Sequence, residues 1–388
     1  MKKLKMTSII LVIMVLISCA KEGTHTTNTI NGIKTHQNTN TPTKPDLKYK
    51  LTEVFTISND TTGIDTMAVI KAPFDIDVDK YGNIYILDAA TSSIKKYDSS
   101  GTFLKSFGRK GEGPGEFDVS IDFTIIDDTL NVQAITSAQM VRFDLEGNFI
   151  DRIPYVGTPG IFLEESIKSP ASGVVIGYKS NVKEENGGIL TGTSLLLMDK
   201  RFNEIKILRE FMYKYDPAKT QFFEELTKYS YGEGKIFVAD NSESQFKINV
   251  YDYYGRVLEV INKNYIKASY NEKEQSIIEK LPLVGVGGEK LKQKQSYKKS
   301  VNNMFYDKYG CLLVCPSIER NDSNDDQFIA DVFQDGVFLN RIVIKELVQQ
   351  DFNVPLNGII TYFFKDRIYK LNQPESSLAV YNYTVEGL

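Results

Sequence analysis

Tryptophan is absent from the 388 residues, and histidine and cysteine are scarce, with two and three copies. Both histidines, His25 and His36, lie in a polar segment near the N-terminus that we expect to be outside the folded region. A folded region without histidine cannot build a Ser-His-Asp or Cys-His nucleophile, or a histidine-ligated zinc or copper site. Any catalysis would therefore have to use carboxylates, tyrosines or lysines alone.

Two of the three cysteines, Cys311 and Cys315, lie four residues apart in an apolar stretch that is typical of a strand. Four strand residues separate the two Cα atoms by about 13 Å, whereas a disulfide tolerates at most about 7 Å. We expect reduced, buried thiols. A metal site at this pair would need further ligands, and the histidines are far away in the chain, so no cofactor is predicted.

A surplus of positive charge is also missing, since 46 Lys and Arg stand against 50 Asp and Glu. Phosphate binding needs the opposite balance, so nucleic acid is not an expected partner.

The N-terminus reads as a targeting segment. Lys2, Lys3 and Lys5 precede an unbroken apolar run, Ile9 to Ile17. A helix of that length rises about 14 Å, against a hydrocarbon core of about 30 Å, so residues 1–18 are interpreted as a signal peptide. The run ends in Leu16-Ile17-Ser18-Cys19, which resembles the bacterial lipobox and implies acylation of Cys19. The alternative is an ordinary secretory signal with an incidental cysteine.

Residues 19–48 are predicted to be a lipidated flexible tether, and the folded domain is predicted to span residues 49–388. The tether is rich in threonine and asparagine and contains almost no apolar side chains. Such a composition buries too little apolar surface to offset the cost of ordering the backbone.

Internal repetition organises the rest of the chain. One octapeptide recurs as YDSSGTFL at 97–104, FDLEGNFI at 143–150, MDKRFNEI at 198–205, YDYYGRVL at 251–258 and VFQDGVFL at 332–339. A second motif, VDKYGNIYI at 78–86, returns as YDKYGCLLV at 306–314. Each copy reads as a strand end, a tight turn and a strand start.

In order, these motifs give six units of four short strands. The first unit spans 73–107, and the others begin near Val119, Phe162, Phe222, Val301 and Gly358. Six four-stranded sheets arranged radially make an all-β, six-bladed β-propeller. The last unit has only three strands, so the segment Leu51 to Ile57 is predicted to close it. A β-sandwich with an appended hairpin domain is the rival fold, but it gives no reason for the repeat.

The first unit, PFDIDVDKYGNIYILDAATSSIKKYDSSGTFLKSFGRKGEGPGEF, resembles NHL-repeat propellers and especially the six-bladed propeller family of bacterial lipoproteins. The resemblance implies a lipid-anchored protein in the cell envelope of a Gram-negative bacterium, at the outer membrane, with the periplasmic or surface side undecided. It does not extend to the lyase activity of some NHL-type propellers, because that activity uses metal-bound histidine.

Loop lengths differ between the two faces of such a ring. Turns between strands one and two, and between strands three and four, are short and lie on what we call the tight-turn face. The remaining turns and the links between blades lie on the long-loop face, which carries insertions at 108–116, 180–192, 263–300 and 317–327. Because binding is usually built on long loops, the long-loop face is predicted to carry the ligand.

The insertion at 263–300 is predicted to be helical. Ser269 and Glu272 form a capping-box pattern, and Ile277, Ile278 and Leu281 form an apolar stripe. The lysines that follow are Lys290, Lys292, Lys294, Lys298 and Lys299. They suit either a solvated helix face or contact with an acidic ligand.

The candidate ligand-binding residues are Arg109, Lys110, Lys290, Lys292 and Lys294. Two groups of acidic residues each allow two interpretations. Asp322, Asn324 and Asp326 match only the opening of a calcium loop, so a polar loop is favoured over an ion site. Asp75, Asp77 and Asp79 alternate along the first inner strand and suit either solvated channel walls or a carboxylate cluster.

These features favour a membrane-anchored, non-catalytic binding or scaffolding propeller whose partner is a glycan, a peptide or an envelope protein, with the membrane contacted through the lipid anchor only. The alternative is a carboxylate-based hydrolase or lyase acting on glycan.

Overall fold

The computed structural model describes residues 24–59, 66–155, 167–185, 188–215, 227–240, 242–280, 296–321, 323–324, 326–349 and 358–388. Cys19, Leu281, Lys290, Lys292, Lys294 and Asp322 lie outside these residues. Within the described part, no helix has the length and apolarity needed to cross a membrane.

The described strands form six sheets, five with four strands and one with six. The chain begins with β1 (His25–Ile30), β2 (Ile33–Asn38) and β3 (Lys48–Ile57). Blade 1 contains β4 (Pro73–Val78), β5 (Ile84–Asp88), β6 (Ser93–Tyr97) and β7 (Phe103–Phe107). Blade 2 contains β8 (Phe123–Ile126), β9 (Thr129–Ala134), β10 (Gln139–Asp144) and β11 (Phe149–Pro154). Blade 3 contains β12 (Ile167–Ala171), β13 (Val174–Glu185), β14 (Gly188–Asp199) and β15 (Glu204–Lys214).

The second half of the chain completes the ring. Blade 4 contains β16 (Tyr229–Gly232), β17 (Lys235–Ala239), β18 (Phe246–Asp252) and β19 (Val257–Lys263), followed by the helix α1 (Glu272–Lys280). Blade 5 contains β20 (Val301–Tyr306), β21 (Leu312–Pro316), β22 (Gln327–Gln334) and β23 (Val337–Val348). Blade 6 contains β24 (Ile359–Phe364), β25 (Arg367–Asn372) and β26 (Ser377–Glu386), and β3 is its fourth strand. The predicted six-bladed fold is confirmed.

Four of the five octapeptide copies, and both copies of the second motif, form their hairpin through an aspartate cap. The Oδ1 atom of Asp98 accepts the backbone N–H groups of Ser100 and Thr102, both at 2.9 Å, and Gly101 adopts a φ of 85°. Equivalent caps are made by Asp79, Asp144, Asp199, Asp252 and Asp307. A carboxylate that accepts two backbone donors satisfies the turn without help from the rest of the fold, so the motif can be repeated around the ring.

The core is divided among the interfaces between blades. Six hydrophobic clusters form within the described residues, each joining two neighbouring blades. At the contact between blades 6 and 1, for example, Tyr362 packs with Ile76 and Ile86. Burying an aliphatic or aromatic side chain fully contributes about 1.5–3 kcal/mol. The ring is therefore held together mainly by blade-to-blade packing.

Closure occurs as predicted, because β3 pairs antiparallel with β26 from Ile57 opposite Leu378 to Lys48 opposite Glu386. The cysteines also follow the prediction. Cys311 and Cys315 are buried at the interface of blades 5 and 6 without a disulfide, and burial raises the pKa of the Cys311 thiol to about 12.

The predicted tether is wrong over its described part. β1 and β2 form a hairpin, and β2 adds in parallel to the outer edge of blade 4 along β19. Asn38 is buried and bonds Asn262 O, Gly336 O and the Phe338 N–H. The composition argument failed because an edge strand is held by backbone pairing and a few buried polar groups, which need little apolar surface.

The two histidines are therefore part of the folded body and not solvated linker residues. His36 is buried under the turn at Gly336, and its Nε2 lies 3.1 Å from Glu259 Oε2. The His25 Nε2 lies 2.9 Å from His36 Nδ1. Together with Glu259 they form a hydrogen-bonded chain on the outer edge of blade 4.

The helix in the insertion is confirmed, but its cap is not the predicted one. The side chain of Asn271 accepts the Glu274 N–H at 2.9 Å, and Glu274 accepts the Asn271 N–H at 2.8 Å. Ser269 instead bonds Glu319. Lys298 is not on a solvated helix face, because it is buried and pairs with Glu274 at 2.6 Å.

Candidate functional site: a funnel at the channel mouth

The inner strands of all six blades end around one concave opening on the tight-turn face. This funnel has a volume of about 590 Å³. Its wall is made by short segments at the ends of the inner strands, namely 77–80, 125, 127–128, 169–172, 231–233, 306–308 and 363–365, with Tyr253 from the turn after the third strand of blade 4. The funnel lies on the face opposite to the one predicted to carry the ligand.

Aromatic rings dominate one side of the funnel wall. Tyr231, Tyr253, Tyr306, Phe363 and Phe364 come from blades 4, 5 and 6 and are half-buried. Phe363 and Phe364 are held from behind, by Phe305 at a ring distance of 4.9 Å and by Tyr362 at 5.5 Å. The exposed edges of these rings therefore present a rigid apolar surface to whatever occupies the funnel.

Charges at the rim are balanced. The exposed carboxylates are Asp127, Asp128 and Glu233, and the exposed amines are Lys80, Lys308 and Lys365. Lys80 pairs with Asp128. Burial lowers the pKa of Lys365, which donates to the Asp79 carbonyl. The rim thus offers hydrogen-bond donors and acceptors without a strong field of one sign.

Buried carboxylates make the floor of the funnel on the side of blade 1. Asp77 Oδ2 accepts the Ile125 N–H at 2.8 Å, and burial raises the pKa of its carboxyl. Asp79 caps its turn and accepts the hydroxyl of Tyr85. Asp75, deeper in the channel, accepts the Phe123 N–H at 3.3 Å. The three aspartates are buried and so are not solvated channel walls. Asp75 and Asp77 satisfy backbone donors on the inner edge of blade 2, and Asp79 satisfies those of its own turn.

A buried ion-pair layer lies below the aromatic wall. Tyr231, Tyr306, Phe363 and Phe364 also line a smaller cavity of about 50 Å³ that has Lys168 in its wall. Lys168 Nζ lies 3.2 Å from Asp75 Oδ2 and 4.0 Å from Asp122 Oδ1, and Tyr362 donates its hydroxyl to Asp75 at 3.1 Å. Four blades contribute to this layer, which lies in the channel on the long-loop side of the funnel.

Of the predicted ligand residues, Arg109 and Lys110 are within the described ranges, and neither lines the funnel. Arg109 and Lys110 lie on the long-loop face, where Arg109 closes its own loop by pairing with Glu116 at 2.7 Å. Asn324 is used inside its loop, because its side chain accepts the Asn321 N–H. No cluster of His, Cys, Asp or Glu within the described ranges is placed to hold a metal ion.

The long-loop face carries a second cavity, of about 380 Å³, between blades 4 and 5. Lys263, Tyr265, Ile266 and Arg341 are among its lining residues. Lys263 and Arg341 both pair with the buried Asp331, at 3.3 and 2.7 Å. These charges therefore serve the contact between blades, and the cavity lies away from the central channel.

Sequence reasoning missed the funnel, although a signal was present. Tyr231, Tyr306 and Phe364 each lie at the end of an inner strand, directly before a tight turn. In a ring of repeats, equivalent positions lie around one opening, so aromatic residues recurring there indicate a shared wall.

Comparison with known proteins agrees with the fold. A model of the family DUF5128, described as a 6-bladed beta-propeller, matches residues 68–157. No curated protein matches the chain. A solved member of the DUF4221 family from Bacteroides vulgatus aligns with 12% identity over 87% of this chain and 99% of that chain, at a TM-score of 0.48. A Bacteroides fragilis protein whose name describes it as exported aligns with 11% identity over 90% of this chain and 99% of that chain, at 0.46. An inactive virginiamycin B lyase from Staphylococcus aureus, solved with quinupristin, aligns with 10% identity over 86% and 99%, at 0.38.

Proposed function

We propose that this chain is a non-catalytic binding propeller that holds the end of a glycan in the funnel on its tight-turn face. The observation that carries the proposal is the convergence of all six blades on one cavity with an aromatic wall and a polar rim. Ligand sites are concave, largely apolar and furnished with a few polar groups that orient the ligand. The funnel has these properties.

The chemistry of the wall selects the class of ligand. Sugar rings have apolar faces, which suit the edges and faces of Tyr231, Tyr306 and Phe363, and a rim of hydroxyls, which can bond Glu233, Lys308 or Lys365. A strongly acidic ligand is disfavoured, because the exposed rim charges are balanced and Asp77, Asp79 and Asp307 add buried carboxylates to the lining. The tyrosine and phenylalanine rings take the part that tryptophan has in other glycan sites.

The cellular setting in this proposal is a lipid anchor on Cys19 in the envelope of a Gram-negative bacterium, at the outer membrane. It is supported by the basic start, the apolar run and the lipobox pattern at the N-terminus. Replacing Cys19 with alanine should move the protein from the membrane fraction to the soluble fraction. Unchanged partitioning into detergent would contradict the anchor.

A glycan array tests the funnel. The mature protein should bind a restricted set of saccharides, and Ser172→Trp, which places a large ring at the exposed rim, should abolish that binding. Tyr254→Trp is the matched control, because it adds the same ring to the same face at an exposed position outside the funnel lining. Equal binding by both variants would show that the funnel is not the site.

A carboxylate-based hydrolase or lyase is the second candidate, and the buried Asp77 favours it. A carboxyl whose pKa is raised by burial is suited to donate a proton to a leaving group. If this candidate is correct, the saccharides found on the array should be cleaved, and Asp77→Asn should stop cleavage while binding remains. Intact saccharides after prolonged incubation with the mature protein would reject it.

A further inference from the structure

The cavity of about 380 Å³ between blades 4 and 5 has a cluster of ionised side chains in its wall. The fully buried carboxylate of Asp331 accepts hydrogen bonds from Arg341, with Nε at 2.7 Å and Nη2 at 3.0 Å. Lys263 Nζ lies 3.3 Å from the same carboxylate, and only 3% of the lysine side chain is exposed. One carboxylate therefore faces two cations, and the cluster has a surplus of positive charge.

A related pair on blade 2 shows how much charge the pairing of two strands needs. Arg142 on β10 lies opposite Asp151 on β11 and donates to it through Nε and Nη2, both at 2.5 Å. Asp331 on β22 lies opposite Arg341 on β23, in the same two strand positions of blade 5. Blade 5 differs by the additional cation, Lys263, which enters from blade 4. A buried surplus charge is costly unless an anion neutralises it.

The described part of the cavity wall does not supply that anion. Glu319 is the one acidic residue among the lining residues. Its carboxylate accepts the hydroxyl of Ser269 at 3.1 Å, and within the described ranges it forms no ion pair with Lys263 or Arg341. Burial lowers the pKa of Lys263, and the nearby Arg341 lowers it as well, against the opposite effect of Asp331. An additional carboxylate beside these cations would relieve their repulsion.

Hydrogen-bond donors at the cavity are available for such an anion. Arg341 Nη1 has no partner among the described residues, so the edge formed by Nη1 and Nη2 can bind a second carboxylate in bidentate geometry. The amide oxygen of Asn40 accepts Lys263 Nζ at 2.6 Å, and that of Asn264 accepts Gln37 Nε2 at 3.5 Å. The amide nitrogens of Asn40 and Asn264 therefore remain as donors.

The rest of the lining is largely apolar and limits the size and charge of the ligand. Ile266 is 82% exposed, and the ring of Phe338 lies 4.5 Å from Lys263 Nζ. Tyr265 uses its hydroxyl on Ser317 O at 3.2 Å, which leaves its ring as an apolar surface. A cavity of this volume suits a small molecule. Because one positive charge is in surplus and Glu319 is also in the wall, a ligand with several negative charges is disfavoured.

We propose that this cavity, which we call the acid pocket, binds a small monocarboxylic acid, with the carboxylate on the free edge of Arg341 and an apolar group against Tyr265 and Ile266. The acid pocket is separate from the funnel, and its occupation does not depend on the glycan of the proposed function. A free amino acid and an N-acylated amino acid both supply this chemistry. They differ in the charge on nitrogen, which is positive only in the free amino acid.

Isothermal titration calorimetry on the mature protein tests the acid pocket. The probes are N-acetyl-leucine and N-acetyl-phenylalanine, and their C-terminal amides are matched neutral controls. We expect the acids to bind and the amides not to bind, because an amide cannot neutralise the surplus charge. Free leucine and phenylalanine form the second arm. Tighter binding of the free amino acids identifies a zwitterion as the ligand, whereas tighter binding of the acetylated forms identifies an N-acylated acid. Equal binding of acids and amides, or no binding of any acid, would overturn the proposal.

Two variants place the bound carboxylate at Arg341. Arg341→Met leaves Lys263 and Asp331 as a neutral buried pair, so the chain should stay folded while affinity for the acid falls at least about tenfold. Asn264→Asp, at an exposed position of the lining, adds a negative charge without touching Asp331 and should also weaken binding.

Arg142→Met is the matched control for the arginine, because it breaks the related bidentate pair on blade 2, outside the cavity. It should leave the affinity unchanged. Thermal unfolding of each variant shows whether the ring is intact. Full affinity in both Arg341→Met and Asn264→Asp, or an equal loss in Arg142→Met, would show that the acid binds elsewhere.

Discussion

The two faces of the ring are built by different parts of the sequence. On the tight-turn face the same aspartate cap closes short hairpins in blades 1 to 5. The capping residues are Asp79, Asp98, Asp144, Asp199, Asp252 and Asp307. On this face the inner strands of all six blades end around one opening, and a funnel forms between them. On the long-loop face the connections differ from blade to blade, and the buried pair of Lys168 and Asp75 lies below the funnel. Regular turns therefore create the concave site, and variable connections are left free for other contacts.

Deleting the strand that closes blade 6 should open the ring and disrupt both faces. Deleting residues 47–58 removes β3, leaves the outer edge of β26 unpaired and takes Leu47, Tyr49 and Ile57 out of two interface clusters. We expect aggregation or loss of the cooperative thermal transition, measured by calorimetry. Deleting residues 24–46 removes only the edge hairpin of blade 4, so a folded ring with a lower Tm should remain. Equal behaviour of the two deletions would contradict the closure by β3.

Removing the buried charge of Lys168 should have the next largest effect on stability. Lys168→Met leaves Asp75 and Asp122 buried without their cation, and breaking one partner of a buried pair costs about 3–5 kcal/mol. The free energy of unfolding, from urea titration, measures this loss. Adding Asp75→Asn to the same chain should recover part of it.

Lys80→Met is the control for this change, because Lys80 pairs with Asp128 at the exposed rim. It should leave the free energy of unfolding unchanged, since exposed pairs are screened by solvent. A loss as large as that of Lys168→Met would show that the buried layer has no special part in the fold.

The edge hairpin formed by β1 and β2 should become less stable in acid. The hydrogen bond to His36 and the nearby Lys235 lower the pKa of Glu259 to about 2. A lowered folded pKa contributes stability above the ordinary carboxyl range that is lost as the pH falls toward 2. Burial also lowers the pKa of His25, so protonation below about 6.5 opposes folding in the same direction. Amide exchange along β2 and β19 should accelerate steadily below that pH.

Glu259→Gln removes the carboxylate and should lower the free energy of unfolding at pH 7 by about 1.5–3 kcal/mol, since hydrogen bonds to charged groups contribute this much. The variant should also show less acceleration of exchange between pH 4.5 and 2. An unchanged pH profile would mean that the His25, His36 and Glu259 chain does not hold the hairpin.

The ring could be predicted from sequence because its elements are local and repeated. Asp98 and Gly101 fix one hairpin within eight residues, and copies of that pattern count the blades. The edge hairpin could not be predicted, because Asn38 and His36 are stabilised by Gly336 and Glu259, about 220 to 300 residues away in the chain. When polar residues are buried by partners far away in the chain, the local sequence alone predicts a linker.

A general preference for long loops directed the prediction to the long-loop face, whereas the funnel lies on the tight-turn face. Lys168 and Asp75 lie 93 residues apart and meet only because blades 1 and 3 flank the same channel. Nothing local to Lys168 marks it as buried. The aromatic residues before the tight turns were visible, but only the ring geometry shows that Tyr231, Tyr306 and Phe363 share one wall.

A tryptophan reporter tests the division between the faces most directly, because the chain contains no tryptophan of its own. Tyr231→Trp places the single indole in the funnel wall, and Tyr297→Trp places it on the long-loop face, where Tyr297 is 42% exposed. Each variant is titrated with the saccharide identified on the array, and the tryptophan emission is recorded. We predict a saturable change in emission for Tyr231→Trp and none for Tyr297→Trp. A saturable change at position 297 with none at 231 would contradict the account.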